Sequence, residues 1–110
     1  MDPRPDILVA NEPAMYRGVL ASELTLLRPG LPVAMVEPAD LDAAVARNHP
    51  RLVICSQLTK IVRQHATASI VLYPNGTNRA ILDVDGQQQE LPNPDLSDLL
   101  VAVDAALERL

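Results

Sequence analysis

The sequence predicts an α/β domain, a parallel sheet flanked by helices that closes in an antiparallel meander. Three observations carry that expectation. Short, wholly apolar runs at 7–10, 33–36 and 52–55 alternate with stretches of helical period, the pattern of β-α-β units whose strands are covered on both faces. Two turn dipeptides, Asn75-Gly76 and Asp85-Gly86, separate SIVLY, RAILDV and QQQEL, and such dipeptides favour hairpins. Apolar residues make up 48 % of the chain but aromatics only 2 %, so the core must be built from Leu, Val, Ile and Ala, which suits layered packing.

Residues 1–6 (MDPRPD), with two prolines and three charges, read as a flexible N-terminal arm, and residues 7–110 as a single domain. The first strand is Ile7 to Ala10. Pro13 suits the first helical position, with Asn11 or Glu12 as N-cap; Tyr16, Leu20, Leu24 and Leu27 then share a face until Pro29-Gly30 stops the helix. After a strand from Val33 to Val36, Asp40 is expected to cap an Ala-rich helix that turns Leu41, Ala44 and Val45 inward and ends at His49-Pro50. The third strand is Leu52 to Cys55. Residues 59–66 have room for about two helical turns with Ile61 and Val62 inward. A strand from Ser69 to Tyr73 opens the meander. Asn93 as cap and Pro94 at the first position start the last helix, whose face is Leu96, Leu99, Leu100, Val103, Leu107 and Leu110.

Charge and cysteine usage exclude several classes of function. A formal charge of -5, with nine scattered basic residues, repels phosphate backbones, so no direct nucleic-acid binding is expected. No apolar run approaches the roughly 20 residues of a membrane span, and the single cysteine cannot form an intramolecular disulfide, which leads us to expect a cytoplasmic protein. No phosphate-cradling glycine loop exists among only four glycines, and no nucleophile, base and orienting group converge along the chain. The expectation is therefore a non-enzyme without cofactor or metal.

The stretches ILVANEP and PRLVICS, and the closing NPDLSDLLVAVDAAL, resemble the receiver domain of two-component response regulators. In that family an ILVVDDE-like first strand, a helix, a second strand, an Ala-rich helix and a PDLVLLD-like third strand follow in this order. The resemblance covers roughly half to two-thirds of the chain and implies a flavodoxin-like fold, with the third and fourth helices shortened or replaced by a hairpin or meander. By register, Asn11 and Glu12 fall where the family has its magnesium-binding acidic pair. Ser56 falls at the phosphoaccepting aspartate and Tyr73 at the switch threonine or serine. The chemical groups differ. A serine hydroxyl cannot form an acyl phosphate, Asn11 removes one carboxylate from a site that needs hard oxygen ligands, and the only lysine, Lys60, lies far from the family's lysine position near Leu91 to Asn93. The resemblance thus implies a pseudo-receiver that acts by binding, independently of aspartyl phosphorylation, on a protein partner in a signalling or transcription pathway.

Each of these residues also has a plain structural role open to it. Asn11 and Glu12 suit a helix start, Ser56 can satisfy nearby backbone, and Tyr73 can pack at a strand end. Cys55, His49 and His65 read as structural residues rather than a nucleophile or metal ligands. The alternative function is a small-molecule sensor, with Asn11, Glu12, Ser56 and Tyr73 lining the edge of the sheet where α/β proteins bind ligands. In the last helix, Val101, Ala102 and Ala105 widen the apolar arc beyond what one sheet contact needs. That makes Leu96, Leu100, Val101, Val103 and Leu107 candidates for a partner or homodimer interface. The polar QQQE strand reads as a solvated edge.

Overall fold

The computed structural model describes residues 6–12, 14–72, 77–84 and 86–108. Residues 1–5 of the expected arm, Pro13, Tyr73, the Asn75-Gly76 turn, Asp85 and Leu110 lie outside the described residues, whereas Asp6, expected in the arm, joins the sheet by hydrogen bonds to Pro32, Arg51 and Leu52. The chain forms a mixed, six-stranded sheet flanked by helices, with strand order β2-β1-β3-β4-β5-β6. Its elements are β1 (Ile7–Ala10), α1 (Ala14–Leu27), β2 (Val33–Met35), α2 (Leu41–Asn48), β3 (Leu52–Cys55), α3 (Lys60–His65), β4 (Ala68–Leu72), β5 (Arg79–Val84), β6 (Gln87–Pro92) and α4 (Leu96–Glu108). The first four strands are parallel, whereas β5 and β6 run antiparallel to their neighbours as the meander requires.

Alternation along the strands feeds two cores, which is why the runs are apolar without a polar face. Ile7 and Val9, Leu52 and Ile54, and Ala68, Ile70 and Leu72 pack with α1 and α4. Leu8 and Ala10, Val53 and Cys55, and Val71 pack with α2 and α3 on the opposite face. Helices on both faces follow from right-handed crossovers that run in opposite directions along the sheet, β1-α1-β2 one way and β2-α2-β3 the other. On β5 only Ala80, Leu82 and Val84 are buried, so one face is covered and the strand alternates. Beyond it, Gln87, Gln88, Gln89 and Glu90 of β6 are all exposed at the open edge. Gly86, at φ +80°, supplies the backbone conformation that starts β6.

Helix ends required local corrections. Asp40 makes no capping hydrogen bond, because the chain enters α2 through a 3-10 turn at Pro38–Asp40. His49 ends α2 in the left-handed region (φ 47°, ψ 62°), as the proline that follows disfavours the helical conformation. Thr59 caps α3 by accepting from the Val62 N–H at 3.1 Å. The last helix is capped by Asp95, not Asn93: the Asp98 N–H donates to Asp95 Oδ1 at 2.8 Å and the Asp95 N–H to Asp98 Oδ2 at 3.1 Å. This reciprocal pair replaces the Asn93-Pro94 start, because Asn93 sits at φ 46° with its N–H donating to the Asn78 carbonyl.

Arg28 clamps the end of α1 to the middle of α4 with a two-pronged pair to Asp104, at 2.9 and 2.6 Å. The Arg28 hydrogen bonds hold the Asp104 carboxyl below its usual range, so the stability this pair contributes is lost as pH falls through that lowered value. Both side chains are more than a third exposed, and salt screens much of the effect.

Candidate functional site at the carboxyl edge

The strand order reverses between β1 and β3, and their carboxyl ends deliver Asn11 and Ser56 to that point. The buried Asn11 side chain donates from Nδ2 to Ser56 Oγ at 3.3 Å and to the Leu72 carbonyl at 3.2 Å, tying together the ends of β1, β3 and β4. The Glu12 N–H also donates to Ser56 Oγ, at 3.0 Å. Both acceptor positions of the serine hydroxyl are therefore occupied, which leaves its proton to point elsewhere. Ser56 is half-buried and the Glu12 side chain is exposed. The structure thus brings together three of the four expected site residues. Tyr73, which follows Leu72, lies outside the described residues.

Sequence reasoning missed Arg17. It sits on the core-facing side of α1, buried, and reaches back to the Asn11 carbonyl at 3.4 Å while pairing with Glu37 at 3.2 Å beyond the end of β2. The available signal was its place among Tyr16, Leu20 and Leu24, on the apolar side of the helix; an arginine there has to be paired. Arg17 thus sets a cation beside Asn11, paired with the carboxylate of Glu37.

One atom at this edge has no partner among the described residues. Asn11 Oδ1 is buried and accepts nothing. Rotating the amide would set an oxygen against the Leu72 carbonyl, so the assignment with Nδ2 on Ser56 and Leu72 is the one the geometry supports. A buried acceptor without a donor costs about 1–3 kcal/mol.

Among the described residues no group of three or more His, Cys, Asp and Glu converges. His49 and His65 do meet, ring centroids 5.4 Å apart and edge to face, where the end of α2 passes α3. Cys55 is buried at the end of β3, and burial pushes its thiol up to about 12, against a smaller lowering by the Gln57 backbone. A thiol-specific reagent at neutral pH is expected to label Cys55 only as fast as the protein unfolds; rapid labelling of the folded chain would show the site to be open.

The α4 candidates separate. Val103 is fully buried and belongs to the core beneath the helix, so it offers no surface to a partner. Leu96 and Val101 are exposed, and Leu100 and Leu107 are half-buried. Leu96 also lines an apolar cavity with Tyr16, Val19, Leu20, Leu72 and Leu99, of about 130 Å³, well below the roughly 300–1,000 Å³ of small-molecule sites. No helix among the described residues is long and apolar enough to cross a membrane. No protein family, curated protein or solved structure matches the chain.

Proposed function

We propose that this chain is a receiver-like regulatory domain without phosphotransfer, which acts in the cytoplasm through contacts with a protein partner in a signalling or transcription pathway. The observation that carries the reading is the Asn11–Ser56 knot. At the position where a receiver holds its phosphoaccepting aspartate, a serine hydroxyl accepts from Asn11 Nδ2 and the Glu12 N–H. Both groups that would face an incoming phosphate are engaged with that hydroxyl. The 2-1-3-4 order of the parallel strands, with α1 and α4 on one face and α2 and α3 on the other, supports the flavodoxin-like assignment. The antiparallel β5 and β6 stand where such a fold would continue with a helix and a parallel strand. On α4, the exposed Leu96 and Val101 are the side chains offered to a partner.

The test is incubation with magnesium and a small phosphodonor such as acetyl phosphate, read by intact mass. The expected result is no adduct. A magnesium-dependent, acid-labile phosphate would overturn the proposal.

The unpartnered Asn11 Oδ1 favours a second reading, a sensor that takes a small ligand with a hydrogen-bond donor at this edge. In that case a ligand raises the melting temperature of the native chain and not of Asn11→Ala.

A further inference from the structure

A surface helix of a globular domain is normally polar on the side away from the core. In α1 that side is apolar. At about 100° per residue, Met15, Val19, Ser22 and Leu26 fall within roughly 60° of arc, directly opposite Leu24, which is fully buried. Met15 is 82 %, Val19 53 % and Leu26 73 % exposed. The helix has only two charged residues: Arg17 is turned inward, and Glu23 lies to one side of the crest. Met35 on the edge strand β2, 56 % exposed, extends the patch, and beside it Gly18 leaves open space, the nearest atom to a methyl built there being Met35 Sδ at 4.0 Å.

We infer that this crest is the seam of a twofold, antiparallel pairing of α1 with α1 of a second copy of this chain. The spacing of the crest residues reads the same in both directions. A twofold axis between Leu20 and Ala21 sets Met15 against Leu26 of the second copy and Val19 against its Ser22, so each large side chain meets an apolar or small one. The same axis leaves Glu23 and its twofold mate on one flank of the seam, about 70° from the middle of the crest and outside the apolar contact. Antiparallel packing also brings opposite ends of the helix dipoles together.

Area agrees with a dimer. The four exposed apolar side chains present on the order of 500 Å², at the upper end of patches found on monomers. A standard interface buries about 800 Å² per partner and is a little over half apolar, so it needs an apolar contribution of this size. For a chain carrying a charge of -5, an uncharged seam is also the surface on which two copies can approach without mutual repulsion. The pairing does not rest on the receiver-like reading of the Ser56 edge, and it locates self-association on α1 rather than α4.

Sedimentation velocity of the full chain over a dilution series tests it. The expected result is a species of twice the monomer mass that dissociates on dilution. Leu26→Lys, 73 % exposed, should leave the melting temperature of the dilute monomer unchanged and abolish the dimer. Leu26→Lys combined with Met15→Glu should restore it, because the register sets each new ammonium against a new carboxylate of the other copy. A chain that stays monomeric at every concentration, or a dimer indifferent to Leu26→Lys, overturns the inference. Loss without rescue overturns the antiparallel register.

Discussion

Leu24→Ala is expected to lower the unfolding free energy by about 3–4 kcal/mol, a large part of the 5–15 kcal/mol available to a domain, whereas Leu26→Ala should change it by less than about 0.5 kcal/mol. Both residues lie on α1 and both are leucines, so helix propensity and side-chain chemistry cancel in the comparison. What differs is the face. Leu24 has no exposed surface and packs in the cluster shared by α1, α4 and the sheet, so its loss leaves a cavity lined by Leu, Ile and Val. Leu26 is mostly in water. Urea denaturation of both variants checks this, at a dilution where association contributes nothing. Equal losses would place Leu26 inside the fold and remove the exposed crest on which the α1 pairing depends. Repeating the Leu26→Ala measurement at high concentration separates the two roles, since a dimer adds stability that grows with concentration.

The fold was legible where local pattern and tertiary environment demand the same residues. Strands buried on both faces must be apolar throughout, and so Ile7 to Ala10 and Leu52 to Cys55 were readable to the residue. The short α3, expected within 59–66 from the inward pair Ile61 and Val62, forms over Lys60–His65, and the cap that starts it, Thr59, emerges only in the structure. Legibility failed where several competent residues compete. Asn93, Pro94 and Asp95 can all begin a helix, and Asp95 prevails because Asp98 answers it from within the first turn while Asn93 is engaged with Asn78. It failed again on α1 and α4, whose apolar residues nearly encircle the helix. Periodicity assigned Leu27 to the buried face, yet it is more than a third exposed, and it offered Val103 to a partner although that side chain is sealed in the core. At the edge, register alone brought Asn11, Glu12 and Ser56 together. Arg17 and the Leu72 carbonyl were invisible, because their roles depend on where α1 and β4 lie in space rather than on any spacing in the chain.

The strongest test of the receiver resemblance is to return the acidic groups it implies. In Asn11→Asp/Ser56→Asp two carboxylates would lie at the ends of β1 and β3, where the wild-type side chains are 3.3 Å apart, one beside the Leu72 carbonyl. Repulsion and burial would both disfavour ionisation, and a loss of about 3 kcal/mol at neutral pH is expected. The sign with pH follows. Folded-state values raised above the roughly 3.9 of an unfolded aspartate mean that the variant is least destabilised in acid and loses stability between about pH 4 and 7. Magnesium should reverse the loss at neutral pH. If the paired carboxylates and the exposed Glu12 form an oxygen-ligand site, a concentration 100-fold above the dissociation constant returns about 2.7 kcal/mol. The wild-type chain, with an amide and a hydroxyl in these places, should show no such rise in melting temperature. A variant that magnesium leaves as unstable as before would mean that the edge shares strand order with a receiver but not the geometry of its site, and the receiver-like reading would fall with it.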